Sequence, residues 1–534
     1  MISARGDRPP RRPLVRRFPK PRRVARLDPS VIMAPRAWAN RAWANRAWAN
    51  RFAWLAIVVS LTEPNGISFR AVTADEAAAT RAPRRPNVVV IVADDLGYGE
   101  TGMMGNREIP TPAIDALAAS GIRCTSGYVT SSYCSPSRAG LMTGRYQSRF
   151  GYDMNPTGDR NLHPDAGLPE TETTFVHRLA DAGYATGLMG KWHLGSVAGK
   201  RPRDRGFREF FGFLHEGHFY VPGPPYRGVL TMIRDRSLPP GERVRDGDLI
   251  RGNYAPIGEP AYDANNPILR DEREVTPAAY LTDAITDEAV DFIGRHAEEA
   301  FCLVVSYNAV HSPMQARLDD LESLQRIRDD QRRIFAGMLV ALDRGVGRIT
   351  EALRGHGLQR QTLVVFFSDN GGPTAELTSS NAPLRDGKGS VYEGGLRVPM
   401  VWSMPGTLPA RRVEDRPVLS LDIAATALDL AGLPRPPEMD GRSLIGWADA
   451  ATRSPLHAEI YWRMPRGRAA FRLGNWKIVR PGREAPIELY HLAGDPAETR
   501  DLAAEYPEKL REVVNRWRAM DATMPPAIEL SPAG

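Results

Sequence analysis

Residues 133–145, YCSPSRAGLMTGR, place one cysteine among residue types that can hold an anion. Cys134 stands two residues before Pro136 and four before Arg138. Because proline fixes its own φ and disfavours helix at the preceding residue, we predict that Cys134 lies in a turn and that a helix begins at Ser137. The start of that helix would present free N–H groups and positive potential beside the sulfur. Taken alone, a single cysteine in a turn is more often a small buried residue.

Acidic side chains follow two apolar, β-branched segments at the point where each would end. Residues 87–93 (NVVVIVA) and 362–367 (TLVVFF) predict strands buried on both faces of a parallel sheet. Ligands of open α/β sheets bind outside the carboxyl ends of such strands, so the polar groups that follow should meet there. Their oxygens suit a hard divalent cation, and without a convergent Cys/His set zinc is disfavoured. The four candidate ligands are Asp94, Asp95, Asp369 and Asn370.

Basic side chains occupy further segments of the same kind. Lys191 and His193 lie in GKWHLG after a predicted strand at 185–189, and alternation along an extended segment would turn both to one face. His311 follows the strand FCLVVSY. Lys388 stands between two glycines, which let the backbone approach a ligand closely. Each of these residues alone is more often a surface or satisfied core residue; their joint order along the chain favours a site.

Taken in order, these segments resemble the type I, formylglycine-dependent sulfatases of the alkaline phosphatase superfamily. Residues 134–144 match the family signature Cys-x-Pro-Ser-Arg followed by Thr-Gly, and the likeness extends over about residues 86 to 522. The resemblance implies that a formylglycine-generating enzyme oxidises Cys134 to formylglycine, whose hydrated aldehyde is the nucleophile. It also implies one Ca²⁺, with Mg²⁺ less favoured, whose ligands would be Asp94, Asp95, Asp369, Asn370 and the modified Cys134.

The family likeness further implies roles for the basic residues. Arg138, Lys191 and Lys388 would offset the charge of the sulfate ester, and Asp369 would help to deprotonate the nucleophile. His311, with Lys388, would protonate the departing alcohol, and His193 would accept a proton when the aldehyde is regenerated. The implied activity is hydrolysis of a carbohydrate or aryl sulfate monoester, as in breakdown of sulfated polysaccharides. Two alternatives remain: a phosphonate or phosphate monoester hydrolase of the same superfamily, and an inactive homologue that binds sulfated glycans.

Alternating strand and helix patterns must position these residues. They predict an α/β fold with a large, doubly wound, mostly parallel sheet sandwiched by helices. Short strands and an amphipathic helix near the C-terminus predict a small antiparallel sheet with a packed helix. We therefore predict a catalytic domain at 85–450 and a C-terminal subdomain with tail at 451–534. The predicted helices are 174–184, 280–296, 335–353, 422–432 and 506–520, and the predicted C-terminal strands are 469–473, 476–479 and 488–492.

The region 201–276 is rich in Gly-Pro clusters and is expected to be irregular, walling the substrate pocket. Its aromatic residues Phe219, Tyr220 and Tyr226 would either stack on a sugar or aryl ring or pack against each other, the second being favoured. Cys124 and Cys302 lie in apolar, strand-like surroundings and are expected to be buried thiols. Three cysteines cannot form a disulfide framework.

The first 84 residues do not resemble folded sequence. They contain three copies of RAWAN at 36–50 and an apolar run at 52–61, too short to span a bilayer but suited to a signal peptide. We predict a disordered basic leader and an exported protein, periplasmic or secreted, without a stable membrane span. Residues 1–51 carry fourteen Lys/Arg against two Asp, so of the net charge of +7 the remaining chain carries 7 − 12 = −5. The charge of the body gives no reason to expect a nucleic-acid partner.

Overall fold

A ten-stranded mixed sheet forms the centre of the protein. The structure is a computed structural model, and it describes residues 85–448 and 454–530. The predicted leader at 1–84, with its repeats and export signal, lies outside the described residues. The boundary predicted at 450 also falls in a segment that is not described.

The strands and helices alternate along the described chain. The strands are β1 Asn87–Ala93, β2 Ile122–Cys124, β3 Gly127–Tyr128, β4 Ala185–Lys191, β5 Glu209–Phe213, β6 Val229–Arg234, β7 Arg243–Asp246, β8 Leu249–Gly252, β9 Leu269–Arg270, β10 Arg273–Glu274, β11 Phe301–Ser306, β12 Met314–Arg317, β13 Thr362–Ser368, β14 Met400–Ser403, β15 Arg412–Glu414, β16 Val418–Leu419, β17 Glu459–Arg463, β18 Ala469–Leu473, β19 Trp476–Arg480 and β20 Glu488–His491. The helices are α1 Pro112–Ala119, α2 Cys134–Thr143, α3 Phe175–Asp181, α4 Leu281–Arg295, α5 Leu318–Leu321, α6 Asp330–Gly355, α7 Thr374–Leu377, α8 Glu393–Leu396, α9 Leu421–Leu430 and α10 Pro507–Asp521.

The main sheet has the order β10-β9-β5-β4-β11-β1-β13-β14-β2-β15. Its five central strands, β5 to β13, are parallel, whereas β9 and β14 run against the other strands. Ala93 at the end of β1 pairs with Ser368 at the end of β13, so the next residues, Asp94 and Asp369, emerge side by side. The predicted mostly parallel α/β sheet is confirmed.

Helices cover both faces of this sheet, as predicted for a doubly wound fold. Alternate residues of β1 enter two different cores, because side chains of a strand alternate between faces. Val89 and Ile91 pack with residues of α1, α4 and α6. Val88 and Val90 pack with residues of α2, α3 and α9. Since both faces of β1 are buried, its sequence is a continuous apolar run.

The region 201–276 is more regular than predicted. It supplies β5 to the main sheet, and β6, β7 and β8 form a second, four-stranded sheet with β12. These strands are short and lie between Gly-Pro clusters, which hide their pattern in the sequence. The favoured prediction for the aromatic residues, that they pack against each other, is confirmed. Phe219 stacks on Tyr226 with 5.2 Å between ring centroids. Tyr220 is buried and stacks on Tyr280 at 5.2 Å.

The C-terminal part is an antiparallel sheet, β17-β18-β19-β20, with α10 packed on it. Three of its strands were predicted, whereas β17 (EIYWR) was not. Trp462 and Phe471 share a buried cluster with Tyr128 and Leu396, which precede the sheet in the chain. Cys124 and Cys302 are free, fully buried thiols, as predicted.

Candidate active site

Helix α2 carries the cysteine at its first turn, and this corrects one prediction. The helix begins at Cys134, three residues earlier than expected, with Tyr133 as the extended N-cap. Pro136 is tolerated because the N–H groups of a first helical turn have no intrahelical partner. Cys134 is 1% exposed, and burial raises the pKa of its thiol above the usual range. The unmodified thiol is therefore a poor nucleophile at neutral pH.

Three carboxylates and the sulfur come together at the carboxyl ends of β1 and β13. One potential ligand atom from each of Asp94, Asp95, Cys134 and Asp369 lies within 4.8 Å of the others. The Cys134 Sγ donates to Asp94 Oδ1 at 3.5 Å. All four residues are buried, at most 1% exposed. The carboxylates predicted at the two strand ends thus lie close together, and Cys134 lies beside them.

Asp95 is paired with a lysine and an asparagine side chain. It accepts hydrogen bonds from Lys388 Nζ at 2.8 Å and from Asn370 Nδ2 at 2.6 Å. Burial would raise the pKa of Asp95, but the attraction of Lys388 and His311 and the hydrogen bonds from Lys388 and Asn370 together outweigh burial and lower that pKa to about 2. Burial likewise opposes the charge of Lys388, and Asp95 holds the pKa of Lys388 well above its usual range. Both groups are therefore ionised at neutral pH.

Arg138 is engaged by Asp369 and by strand ends. Its Nε and NH2 groups lie 2.9 and 2.8 Å from Asp369 Oδ2. Its NH1 group donates to Ser306 Oγ at 2.5 Å and to the Lys191 carbonyl at 3.2 Å. The guanidinium thus orients Asp369 and binds the ends of β4 and β11 through Lys191 and Ser306.

Lys191 ends β4 and reaches the same carboxylate cluster. Its Nζ donates to Asp94 Oδ2 at 2.6 Å, with both side chains fully buried. Gly190 allows β4 to approach β11 closely, since a Cβ there would lie 1.9 Å from the Ser306 carbonyl oxygen. The predicted extended path does not continue through His193, whose φ is 57°. The chain turns at this residue, so alternation along a strand does not place its ring.

The ring of His193 is a neutral imidazole with one free nitrogen. Burial and the nearby Lys191 ammonium lower the pKa of His193 well below its usual range. Its Nε2 lies 2.8 Å from the Pro156 carbonyl oxygen, and because a carbonyl only accepts, Nε2 carries the proton. Nδ1 is buried and finds no hydrogen-bond partner in the described chain. This nitrogen is therefore available to accept a proton.

His311 lies next to Asp95. Its Nε2 is 3.6 Å from Asp95 Oδ2, and a ring nitrogen lies within 4.8 Å of ligand atoms of Asp94 and Cys134. Its Nδ1 donates to the Ser312 carbonyl at 2.6 Å. Burial and Lys388 lower the pKa of His311 to about 4. The ring faces the cluster in its neutral form.

Two polar residues at the end of β11 and just after it, Ser306 and Asn308, were not predicted from the sequence. Ser306 ends β11 and accepts the hydrogen bond from Arg138 described above. Asn308 is buried two residues later, and its Nδ2 donates to the His218 carbonyl at 2.6 Å. The available signal was the same as for the aspartates, namely polar residues directly after a buried parallel strand.

The donor set fits a hard cation. Three carboxylates and the Cys134 sulfur have ligand atoms within 4.8 Å of one another. Asn370 adjoins them through its hydrogen bond to Asp95, and its Oδ1 is buried without a hydrogen-bond partner in the described chain. A buried oxygen without a hydrogen-bond partner costs folding free energy unless a bound water or ion contacts it. Within residues 85–448 and 454–530, the groups able to hold a metal are this cluster and its overlap with His311. Oxygen ligands of this kind favour Ca²⁺ or Mg²⁺ over zinc.

The fold and site define a hydrolase of the alkaline phosphatase superfamily. The family model described as "Sulfatase" matches residues 86–433, and "N-sulphoglucosamine sulphohydrolase, C-terminal" matches residues 386–520. The chain belongs to the sulfatase family and is a sulfatase, an enzyme that hydrolyses sulfate esters.

Named relatives and solved structures agree with this assignment. Mouse steryl-sulfatase is 35% identical over 84% of this chain and 83% of its own length. N-acetylgalactosamine-6-sulfatase of the dog is 32% identical over 69% of this chain and 66% of its own length. The crystal structure of Ps i-CgsB in complex with k-i-k-neocarrahexaose is 31% identical, with a TM-score of 0.72 over 84% of this chain and 95% of that one.

In the described part of the chain, no helix combines the length and apolar character needed to cross a membrane.

Proposed function

We propose that this sulfatase cleaves sulfate monoesters with a formylglycine made from Cys134 and one Ca²⁺ bound by Asp94, Asp95, Asp369 and Asn370. The observation that carries the proposal is the placement of a buried, weakly acidic thiol within the carboxylate cluster. A thiol of this kind is neither exposed for nucleophilic attack nor paired with a base that would ionise it. Oxidation to formylglycine, followed by addition of water to its aldehyde, would give position 134 a hydroxyl nucleophile of the kind that the family uses. The cation would add positive charge opposite the sulfate oxygens.

The surrounding side chains hold charge and protons in defined places. Lys191 and Lys388 carry ammonium groups that can bind sulfate oxygens when substrate displaces part of their contact with the carboxylates. Arg138 keeps Asp369 oriented beside position 134. The bare Nδ1 of His193 is suited to accept a proton. His311 and Lys388 meet at Asp95, and we assign this pair to protonate the leaving oxygen, since a bound anion raises the pKa of a nearby histidine.

Mass spectrometry of the tryptic peptide 124–138 tests the modification. This peptide contains Cys124 as well as Cys134, so the first cysteine serves as an internal control. We expect an aldehyde at 134, which reacts with a hydroxylamine probe, and an intact thiol at 124, which is alkylated. An active preparation in which both positions are alkylated completely would contradict the formylglycine step.

Rates on matched aryl esters test the reaction. We expect 4-nitrophenyl sulfate to be hydrolysed faster than 4-nitrophenyl phosphate, because the described residues lack a second metal-binding cluster of the kind that phosphatases use. A faster rate on the phosphate ester would favour the monoester hydrolase alternative instead.

The natural substrate is proposed to be a sulfated carbohydrate. The relatives named above include an N-acetylgalactosamine-6-sulfatase, and a related crystal structure contains a neocarrahexaose. Sulfate release from a panel of sulfated mono- and oligosaccharides is the measurement that identifies it. We also propose export, with modification by a formylglycine-generating enzyme during maturation; N-terminal sequencing of the protein from extracytoplasmic fractions checks the cleavage site.

A further inference from the structure

A cleft of about 590 Å³ opens beside Lys388. Polar side chains from helix α7 and from the segment that follows it line the cleft, namely Thr374, Glu376, Ser380, Asn381, Asp386 and Lys388. Among the described residues that line the cleft, Lys388 is the one cation, and its ammonium is bound to Asp95 at 2.8 Å. The cleft therefore connects to the active site at Lys388. Because that ammonium is already paired with Asp95, the described lining offers no unpaired positive charge to an additional anion in the cleft.

Glu376 is held in this lining by a buried network. Its Oε1 accepts from Arg234 NH1 and, at 3.3 Å, from Ser312 Oγ. Arg234 is 4% exposed and also donates to Tyr262 at 2.6 Å. Two donors on one oxygen, one of them a buried guanidinium, fix the carboxylate in place.

The second carboxylate oxygen of Glu376 is available to a ligand. No residue in the described ranges donates to Oε2, and the side chain is 26% exposed. A carboxylate accepts hydrogen bonds only, so a partner in the cleft must be a donor such as a hydroxyl group. A sulfate group in the same place would meet a like charge.

Glu376 lies close to the residues that we assign to the leaving alcohol. It accepts a hydrogen bond from Ser312, the residue after His311, and it lines the same cleft as Lys388. His311 and Lys388 are the two groups assigned above to the leaving oxygen. An alcohol that departs between them carries its neighbouring substituents into the cleft beside Glu376.

We propose that Glu376 is a specificity-determining residue that accepts a hydrogen bond from a free hydroxyl next to the sulfate ester and disfavours a second sulfate there. This inference rests on the proposed function, because it uses the assigned leaving-group side. The preferred substrates are sulfate monoesters of sugars or diols whose neighbouring hydroxyl is unsulfated.

Three aryl sulfates that differ only in the substituent ortho to the sulfate ester provide the test. Phenyl sulfate has a hydrogen there, catechol monosulfate a hydroxyl and catechol disulfate a second sulfate. For Glu376→Gln, we expect the ratio of kcat/KM for catechol monosulfate to that for phenyl sulfate to fall by about tenfold. The ratio for catechol disulfate to phenyl sulfate should rise by about tenfold, because a like charge is removed.

Glu259→Gln is the matched control. Glu259 accepts from the Arg234 backbone N–H at 2.6 Å, so this variant also removes one negative charge beside Arg234, but Glu259 does not line the cleft. Both ratios should stay at their wild-type values in this variant.

The remaining outcomes separate the specificity inference from the proposed function. Ratios that are equal in wild type and Glu376→Gln, or a uniform loss on all three esters, would overturn the role of Glu376 and leave the sulfatase chemistry standing. Sulfate release by the wild-type enzyme from neither these three esters nor the panel of sulfated saccharides would overturn both.

Discussion

At the scale of single residues, the site combines buried charges that neutralise each other in the absence of substrate. Lys191 pairs with Asp94, Lys388 with Asp95 and Arg138 with Asp369. Buried ion pairs are costly when one partner is removed, so each side chain depends on its partner. In the proposed mechanism, an entering sulfate would compete for the two ammonium groups, and the carboxylates would be held by the bound cation. The same residues would thus keep the site together and receive the ligand.

Cys134→Ser should abolish turnover. Serine has a single hydroxyl, whereas a hydrated aldehyde has two, so hydrolysis is expected to stall after sulfate transfer. We expect kcat to fall on the order of a thousandfold or more. Steady-state sulfate release with 4-nitrophenyl sulfate measures it.

Cys302→Ala is the corresponding control, because it removes another fully buried thiol, in β11 away from the cluster. It should retain activity per folded molecule. Comparable activity in wild type and Cys134→Ser would contradict the assignment of the nucleophile.

At the scale of elements, buried polar contacts decide how helices and strands dock. Strand β19 places Lys477 against α8, where its Nζ lies 2.9 Å from Glu393 and 2.9 Å from Glu498. All three side chains are fully buried. The C-terminal sheet is therefore attached by a charged cluster as well as by its apolar core.

Lys477→Met should destabilise the fold strongly. The variant keeps the apolar stem but leaves the buried Glu498 without its ion-pair partner and removes the shorter of the two ion pairs of Glu393, which costs about 3–5 kcal/mol. Urea unfolding followed by tryptophan fluorescence measures the change in the free energy of unfolding. Lys509→Met, which removes a partly exposed helix pair with Glu512, should cost about 1 kcal/mol or less. Equal losses in the two variants would contradict the importance of the buried cluster.

Asp343 of α6 couples stability to pH. It accepts the N–H groups of Ile114 at 2.8 Å and Ala113 at 3.1 Å, and burial raises its pKa to about 6. The unfolded chain releases this proton near pH 4, so the folded state binds more protons between about pH 4 and 6. The contribution of Asp343 to stability therefore falls as pH rises through this window.

Asp343→Asn removes this titration. Relative to wild type, the variant should gain about 3 kcal/mol in free energy of unfolding between pH 4 and pH 7. Denaturant unfolding at several pH values measures the difference. A difference between variant and wild type that does not depend on pH would show that Asp343 has an ordinary pKa.

At the scale of the whole molecule, the main sheet brings together residues that lie 275 positions apart in the chain, such as Asp95 and Asn370. Such a site exists only in the folded protein, so a cation that binds it stabilises the fold by mass action. At a hundredfold excess over Kd the stabilisation is about 2.7 kcal/mol.

Removal of divalent ions should therefore lower Tm as well as activity. We expect Ca²⁺ to raise the Tm of chelator-treated protein, and Mg²⁺ to raise it less, because the site offers several carboxylates without octahedral constraint. Differential scanning calorimetry at constant ionic strength measures both. In Asp369→Asn the calcium-dependent rise should shrink. A Tm that is the same with and without Ca²⁺ would contradict the metal site.

Local patterns were enough to predict the central strands, the strand ends at which polar residues gather and the family. The apolar runs of β1 and β13 indicate burial on both faces, and the residues that follow them reach one sheet edge in any parallel arrangement. Contacts formed in the folded chain set where α2 begins, how the chain turns at His193 and which parts of residues 201–276 form strands. They also pair Arg138 with Asp369 and place Glu376 in the cleft that Lys388 lines. These features depend on contacts between distant segments, and no local pattern records which partner a side chain will meet.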